Sequence, residues 1–298
     1  MKSLFYSILY NTSANFYVRN TLKVFKAFLP EGLKIHPSGT LKLNLKEGIS
    51  LILKTNQTSY VTRELFWKGS ENYEYTKIFK KLILNADVFF DIGSSIGYYS
   101  LIGAAINDNL KVWAFEPAVG PMIYLSENTK INGFEDRIKV EHLALSDRTG
   151  EVVFSEILNK KYPSTYNLSG EHNINTKPKL VSKKVKVSCD TLDSFVEKNQ
   201  VKKIDLMKID TEGVEDLILK GGSQCIAENL PIIICETLFG RIEHNLEDIM
   251  TGHGYNFYNH YEKGLKKVKT IKRADDDGVR NVFFVHPNKE HLIKEFLF

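Results

Sequence analysis

Two apolar segments of the sequence end in an acidic residue, and the first runs into a turn that contains two glycines. Val88 to Asp91 leads through Gly93 and Gly97 into a candidate helix, and the segment from Leu110 ends at Glu116. The glycines allow a tight turn and close approach of a ligand, and the helix would point free N–H groups and its positive dipole end at that ligand. An acid that ends the second strand can accept both hydroxyls of a ribose. The arrangement predicts a nucleotide-type cofactor site.

The spacing of the glycines narrows the choice of cofactor. G-x-x-x-G differs from the dinucleotide pattern G-x-G-x-x-G, and the Gly-Lys-Ser/Thr ending of a phosphate-binding loop is missing from this turn. Two strand-end acids around such a turn suit S-adenosylmethionine, with the first acid facing its amino-acid end and the second its ribose. The residues expected to contact this cofactor are Asp91, Gly93, Ser94, Ser95, Gly97, Tyr98, Glu116 and Pro117.

Six short motifs occur in the order seen in FkbM-type methyltransferases, which the chain resembles from about residue 74 to residue 285. They are Phe90-Asp91-Ile92-Gly93 with Ile96-Gly97-Tyr98, Ala114 to Pro117, Asn128 with Asn132-Gly133, Ala144 to Asp147 with Gly150, Thr191-Leu192-Asp193, and Lys208 to Gly213. The last block is the most specific. The chain departs from the family at Ser95, where Asn is usual, and we expect this to change fine cofactor contacts. The resemblance implies a class I methyltransferase fold, with Ala144 and Leu145 beside the adenine ring.

The block from Lys208 to Gly213 holds the candidate catalytic residues Lys208, Asp210 and Glu212. The resemblance implies that its strand neighbours the first strand, so that both acids emerge near the reactive methyl and Asp210 also contacts the cofactor. A carboxylate there can act as a base or, with a second acid, hold a divalent metal such as Mg²⁺, and the sequence leaves both open. Lys208 shares a face with Asp210 on a buried strand and needs an acid partner, for which Glu236 is a candidate. That pair could also simply fix the strand ends.

Residues 150 to 187 interrupt the pattern of strands and helices and are rich in Asn, Ser, Lys and Tyr. A polar segment of this length inside a domain is typical of a binding loop or lid. The residues expected to contact the substrate are Tyr162, Tyr166 and His172 in this segment, with Glu74 and Glu236 outside it.

Alternation of strands and helices after residue 80 predicts an α/β fold with a doubly wound, mainly parallel sheet of seven strands. The predicted strands lie at about 87–92, 111–116, 138–143, 204–209, 231–236, 255–260 and 281–286, and the predicted helices at 97–106, 118–131, 191–198, 213–228 and 243–251. We expect this methyltransferase domain to span 81–298, with 150–187 as its lid or substrate loop. Residues 1–80 form an N-terminal extension, with an amphipathic helix over Phe16 to Leu29 and a hairpin around Lys46-Glu47-Gly48.

Composition and charge limit the partners. The 298 residues carry a net charge of only +4, which gives no electrostatic case for nucleic acid, and we interpret the basic run from Lys263 to Lys269 as a solvated hairpin. The sequence has no run of 18 apolar residues, so no transmembrane segment is predicted. The apolar side of the N-terminal helix is expected to pack on the protein's own body or on a second subunit as a homodimer, with weak membrane-surface contact as the alternative. Three cysteines without paired spacing fit the reducing cytoplasm.

These patterns indicate an S-adenosylmethionine-dependent O-methyltransferase for a hydroxyl of a sugar, glycan or polyhydroxylated natural product. The acceptor class is implied by the resemblance alone. N-methylation of a nucleic-acid base is disfavoured because no Asp/Asn-Pro-Pro-Tyr/Phe block follows the fourth strand. A non-catalytic module that binds S-adenosylmethionine is the second alternative.

Overall fold

A large mixed sheet forms the centre of the protein, which a computed structural model describes at residues 6, 8–45, 48–170 and 181–298. The described strands are β1 (Gly39–Asn44), β2 (Ser50–Thr55), β3 (Val88–Ile92), β4 (Lys111–Phe115), β5 (Ile138–Glu141), β6 (Ala144–Ser146), β7 (Gly150–Ile157), β8 (Ser182–Thr191), β9 (Leu206–Ile209), β10 (Ile232–Glu236), β11 (Asn256–Tyr261), β12 (Gly264–Val268) and β13 (Asn281–Val285). Eight of them form this sheet in the order β12-β11-β13-β10-β9-β3-β4-β5.

The predicted doubly wound fold is confirmed, and the strand count is corrected. Strands β5, β4, β3, β9, β10 and β11 run parallel, whereas β13 pairs antiparallel with both β10 and β11. The predicted seven strands are all present. The eighth, β12, pairs antiparallel with β11 and forms the hairpin expected over the basic run. The lysines of β12 are exposed to solvent and Leu265 is buried, so the sequence of this strand is mostly polar.

Helices cover both faces of this sheet. They are α1 (Thr12–Val24), α2 (Tyr60–Lys68), α3 (Thr76–Ile83), α4 (Tyr98–Ile106), α5 (Val119–Ile131), α6 (Leu192–Lys198), α7 (Glu215–Lys220), α8 (Ser223–Asn229) and α9 (Glu243–Gly252), with 3₁₀ turns at Glu31–Leu33, Ser70–Asn72, Pro287–Leu292 and Lys294–Phe296. One core packs α3 and α4 on one face, and a second core packs α6 to α9 on the other. The helix predicted over 213–228 is divided into α7 and α8 at Gly221-Gly222, where Gly221 packs so closely that a Cβ would lie 2.2 Å from the carbonyl oxygen of Ser146.

The region from 150 to 187 begins and ends in strands. Strands β7 and β8 pair antiparallel along their length, and β6 pairs parallel with β8 in a separate three-stranded sheet. The expectation of a continuous loop is therefore wrong at both ends, because exposed polar residues alternate with buried ones such as Val152 and Val187. Ala144 and Leu145, which the resemblance sets beside the adenine ring, lie in β6.

The N-terminal hairpin is confirmed as β1 and β2, which pair antiparallel; residues 46 and 47 of its expected turn lie outside the described residues. Leucines on its inner face, among them Leu43 and Leu53, belong to the same core as α4. Two asparagine side chains form hydrogen bonds with the outer edge of β2. One is in α5 and the other follows its last residue. Asn128 Oδ1 accepts from Lys54 N at 2.6 Å, and Asn132 Oδ1 accepts from Ile52 N at 2.9 Å.

The N-terminal helix is present, but its polar side faces inward. Helix α1 begins at Thr12, earlier than predicted, and buries Asn15 and Arg19, whereas Phe16, Val24 and Phe28 are exposed. Leu22 and Leu29 pack against the core, so the expectation that the apolar side packs on the protein's own body holds for these two residues and is wrong for the exposed aromatic ones. Arg19 compensates for its burial by donating hydrogen bonds to Asn15 Oδ1 and to the carbonyl oxygens of Ser38 and Thr40. Packing on a second subunit stays a prediction.

Candidate active site

The glycine-containing turn after β3 lies directly against the end of β9. Gly93 adopts φ +73°, and a Cβ at this position would lie 1.9 Å from the carbonyl oxygen of Asp210. Only glycine allows this approach without displacing the neighbouring strand end. The N–H groups of Gly93 and Ser94 both donate to the carbonyl oxygen of Phe115 at 3.0 Å, which fixes the turn to β4 as well. Three neighbouring strand ends are thus joined at one point.

A buried ion pair supports the turn from below. The ammonium group of Lys208 lies 3.6 Å from Asp91 Oδ1 and 3.4 Å from Asp210 Oδ2, and it donates to the carbonyl oxygen of Gly93 at 3.0 Å. Asp91 Oδ2 also accepts from the backbone and hydroxyl of Ser100 at the start of α4. The prediction that Lys208 pairs with Glu236 is therefore wrong, because Lys208 pairs with Asp91 and Asp210.

The charge of Lys208 is stabilised despite burial. Desolvation lowers its pKa, but the nearby carboxylates of Asp210, Asp91 and Glu74 outweigh that effect and raise the pKa above its ordinary value. Lys208 therefore stays protonated at neutral pH and cannot act as a base. Its place is to hold the strand ends and to offset part of the negative charge around them.

Glu116 lies at the end of β4 with its carboxylate held by the backbone. Its Oε2 accepts from Ser95 N and its Oε1 from Ala118 N, both at 2.8 Å. Each carboxylate oxygen keeps a further lone pair for a ligand hydroxyl. Burial raises the pKa of Glu116 to about 7, although the two backbone N–H groups act in the opposite direction. The group is thus poised to gain from additional hydrogen-bond donors.

A cleft of about 240 Å³ opens above the turn and collects most of the acids singled out from the sequence. The predicted site residues that line it are Glu74, Gly93, Ser95, Glu116, Pro117, Asp210, Glu212 and Glu236. Tyr60, Tyr73 and Phe154 also line it, and no sequence pattern had indicated them. None of the described residues that line the cleft is Lys, Arg or His. The cleft is therefore rich in carboxyl groups, and the basic side chain nearest to them, Lys208, lies buried behind its lining.

Mutual repulsion and burial act on the acids of this cleft. Burial raises the pKa of Glu74 to about 7, with Asp210 adding to the effect and the hydroxyl of Tyr99, which donates to Glu74 Oε2 at 3.0 Å, opposing it. Burial, followed by the charges of Asp210 and Glu212, holds the pKa of Glu236 well above its ordinary value. The protonated form of Glu236 is thereby favoured, and its buried Oε2 has no hydrogen-bond partner among the described residues. A protonated Glu236 can donate a hydrogen bond to a ligand oxygen.

The loop that carries Glu212 is held by an acid that sequence reasoning missed. Glu215 Oε1 accepts from Thr211 N at 2.8 Å, from the Thr211 hydroxyl at 3.0 Å and from Gly213 N at 3.2 Å. Its position in the first turn of α7 is the signal that could have revealed it. Glu212, predicted as a catalytic residue, lines the cleft with φ +63°.

Other predicted residues lie behind or beside the cleft. Ser94, Gly97 and Tyr98 shape the turn without lining the cleft; the Tyr98 hydroxyl, for example, lies 3.0 Å from that of Thr76. Ala144 and Leu145 line a small apolar depression next to it, which shares Gly93 and Pro117 with the cleft and suits a flat ring. Three substrate-contacting residues were predicted within 150–187. Tyr162 lines a different cavity, Tyr166 bonds to Asn56 through its carbonyl oxygen, and His172 lies outside the described residues.

The site residues fit S-adenosylmethionine and do not fit a metal. The close approach at Gly93, the held carboxylate of Glu116 and the buried, unpartnered Ser95 hydroxyl match a ligand with amino-acid and ribose ends. Within the described ranges, no group of three or more His, Cys, Asp or Glu side chains is arranged to hold a metal ion. The magnesium alternative therefore has no donor set here.

Comparison with known proteins agrees with this geometry. Residues 91–257, more than half of the chain, match the family model described as the methyltransferase FkbM domain. The chain belongs to the FkbM methyltransferase family. The matched range of this FkbM-family chain contains the turn, Glu116, the Lys208 block and Glu236.

Similar proteins include one curated relative and several solved structures. The hexuronic acid methyltransferase AglP of Haloferax volcanii is 27% identical over 150 residues, which are 50% of this chain and 55% of that protein. The chain thus matches about half the length of this relative. The crystal structure of methyltransferase FkbM from Methylobacillus flagellatus is 16% identical with a TM-score of 0.44, over 67% of this chain and 43% of that one. An O-methyltransferase from Bacillus cereus is 12% identical with a TM-score of 0.38, over 70% and 79%.

No helix among the described residues is long and apolar enough to cross a membrane.

Proposed function

We propose that the protein transfers the methyl group of S-adenosylmethionine to a neutral hydroxyl of a sugar or glycan. The observation that carries the proposal is the placement of Asp210, Glu74 and Glu236 in one cleft with Gly93 and Glu116. In this proposal Glu116 accepts the ribose hydroxyls, the turn at Gly93 faces the amino-acid end, and Ala144 and Leu145 contact the adenine. Residues 81–298 carry the reaction and residues 1–80 contribute to acceptor binding.

The acids have different tasks in this reaction. Bound S-adenosylmethionine would supply an electrophilic methyl on a sulfonium, with the thioether sulfur as the leaving group that keeps the electron pair of the C–S bond when the acceptor oxygen bonds to the methyl carbon. Asp210, at the end of β9 and partly exposed, is placed to take the hydroxyl proton. Protonated Glu236 can donate to a neighbouring oxygen of the acceptor, and Glu74 can accept from another hydroxyl. Lys208 positions Asp210 through the ion pair.

The charge of the cleft favours a neutral acceptor over a carboxylate. Two like charges about 4 Å apart near a protein surface repel by roughly 4 kcal/mol. Several acids line the cleft, and the described lining residues include no basic side chain to compensate an acceptor carboxylate. The name of the relative AglP supports a sugar acceptor, while the acids of this chain argue for a hydroxyl on a neutral unit.

The two alternatives are less well supported. A nucleic-acid substrate would require a basic surface around the site, whereas this cleft is acidic. A module that only binds the cofactor would have no need for a second set of acids beyond Glu116. Buried cysteines without disulfides agree with the proposed cytoplasmic location.

The test measures release of S-adenosylhomocysteine with a matched pair of acceptors, methyl glucoside and methyl glucuronide, and with neutral trisaccharides. We expect turnover with neutral acceptors and at least tenfold less with the glucuronide. Asp210→Asn should lower turnover by about 10²–10⁴-fold and leave binding of S-adenosylhomocysteine nearly unchanged. Asp248→Asn, at an exposed acid that does not line the cleft, is the matched control. Near-normal turnover in Asp210→Asn would remove Asp210 as the base, and a preference for the glucuronide would contradict the neutral acceptor.

A further inference from the structure

A second and larger cavity lies between the N-terminal extension and the main body. It measures about 750 Å³, within the range of small-molecule sites and about three times the volume of the methyl-transfer cleft. We call it the tyrosine cavity, because Tyr6, Tyr10, Tyr124 and Tyr162 line it. It has no lining residue in common with the cleft. Neither the sequence motifs nor the reaction account for it.

The chemistry of the tyrosine cavity suits a neutral polyhydroxylated ring. Tyr6 and Tyr162 lie edge to face at 6.2 Å, and Tyr10 lies 5.6 Å from Tyr162, so the rings form one aromatic wall. Tyrosine combines an apolar face with a hydroxyl, which matches the C–H faces and hydroxyl groups of a sugar. Amide and hydroxyl side chains such as those of Asn56 and Ser164 also line the space.

Charge in the cavity is largely compensated. The ammonium group of Lys54 lies 3.2 Å from Glu127 Oε2, so these two lining residues pair with each other. The Lys161 ammonium lies over the Tyr6 ring, 3.8 Å from its centroid, in a cation–π contact. A strongly anionic ligand such as a nucleic acid would require more free cations than this lining provides.

The wall that the extension contributes is rigidly attached. Buried Arg19 joins α1 to the backbone of Ser38 and Thr40, and the Ser38 hydroxyl donates to the carbonyl oxygen of Tyr10 at 3.0 Å. Thr12 packs against Gly39 so closely that a Cβ on the glycine would lie 2.1 Å from Thr12 Cγ2. Such packing fixes Tyr10 relative to the hairpin. The cavity is therefore a defined space and not a gap between loosely attached segments.

Three short stretches of chain connect the tyrosine cavity to the cleft. Gln57 lines the cavity and Tyr60 the cleft, three residues apart, which is at most about 11 Å. On α5, Tyr124 lines the cavity and Pro121 the cleft, one helical turn apart. In the third stretch, residues 161–165 line the tyrosine cavity and residues 169–170 line the cleft. The linings of the two spaces are therefore close along the chain at three places.

We propose that the tyrosine cavity binds a neutral saccharide unit of the acceptor, next to the unit that is methylated in the cleft. The inference rests on the proposed function, because it names the acceptor as a glycan of at least two units. The N-terminal extension then selects an oligosaccharide over a monosaccharide.

The test uses the full chain with saturating S-adenosylhomocysteine and a panel of neutral trisaccharides, namely maltotriose, cellotriose, xylotriose and mannotriose. Saturation-transfer NMR and calorimetry report binding. We expect at least one to bind, with affinity reduced at least tenfold by Tyr162→Ala, which removes an aromatic face, and by Ser164→Trp, which fills the cavity without removing a buried group. Tyr17→Ala, on the exposed side of α1, is the control and should leave binding unchanged.

Several outcomes separate this inference from the proposed function. Binding of no trisaccharide, or equal binding by the Ser164→Trp variant, overturns the saccharide cavity. Binding of glucose 1-phosphate without binding of any neutral sugar also overturns it, in favour of an anionic ligand. Equal kcat/KM for methyl glucoside and for the bound trisaccharide would retain the proposed function and refute the second subsite. Trisaccharide binding without any methyl transfer would retain the cavity and refute the proposed function.

Discussion

Replacement of Gly93 by alanine tests the contact on which the candidate site depends. The new Cβ would lie 1.9 Å from the carbonyl oxygen of Asp210, so the two strand ends must separate by about 1.5 Å to reach van der Waals contact. The positive φ costs roughly 1–2 kcal/mol for any residue with a Cβ. Overpacking adds about 1–3 kcal/mol. We expect the free energy of unfolding to fall by about 3 kcal/mol in total.

Gly133→Ala is the matched control for this change. Gly133 has φ +70°, but nothing lies within 4 Å of its would-be Cβ, so the variant carries the backbone cost alone. Urea unfolding should show a loss of roughly 1–2 kcal/mol in Gly133→Ala, with unchanged calorimetric affinity for S-adenosylhomocysteine. Gly93→Ala should lose at least tenfold in that affinity, and about a hundredfold in turnover because Asp210 moves by more than 1 Å. If the two variants behave alike in both assays, the close approach of the turn to β9 does not shape the site.

Three further predictions concern charged groups. Because burial raises the pKa of Glu116 to about 7 and ribose hydroxyls favour its charged form, binding of S-adenosylhomocysteine should release protons near pH 6–7 and tighten as pH rises to 8; calorimetry in buffers of different ionisation enthalpy measures this, and Glu116→Gln should abolish it. Lys208→Met leaves Asp91 buried without its partner and should cost about 3–5 kcal/mol in urea unfolding, against about 1 kcal/mol or less for Lys203→Met at an exposed pair. Equal losses would show that burial of the pair is unimportant. Arg19→Met should detach the N-terminal helix and expose it to limited proteolysis while affinity for S-adenosylhomocysteine stays unchanged; a resistant variant would mean that other contacts hold the helix.

The sequence predicted the central sheet because its strands are buried on both faces and consist of continuous apolar residues. Strand β10 is an example, β9 departs from the pattern only at Lys208, and the acids at their ends, Glu236 and Asp210, mark the edge where the cleft opens. Glu116, Asp210 and Glu236 could be assigned to one site for this reason. The acid that pairs with Lys208 could not be predicted, because the register that sets Lys208 opposite Asp91 is a property of the assembled sheet.

Elements with mixed polarity were harder to predict. Strands β7 and β8 have only one buried face, and their exposed lysines and glutamates resemble those of a loop. Helix α1 has a strong apolar stripe, yet Arg19 and Asn15 find carbonyl and amide partners that its apolar side does not require. Hydrogen-bond partners distant in the chain decide which face is buried, and no local pattern contains them.

The two asparagines that bond to the edge of β2, Asn128 and Asn132, have a consequence for engineering. Asn128 connects β2 to the glycine-containing turn. Its Oδ1 accepts from Lys54 N, and its Nδ2 donates to the carbonyl oxygen of Ile96 in the turn at 3.0 Å. Asn132 both donates to and accepts from the backbone of Ile52, so together the side chains satisfy an edge that would otherwise be open to strand addition. A chain shortened to start at residue 81 would lose these bonds and expose the apolar surface on which the hairpin leucines pack. A transplanted extension would therefore need a hairpin whose edge matches these two amides in register as well as a suitable binding surface.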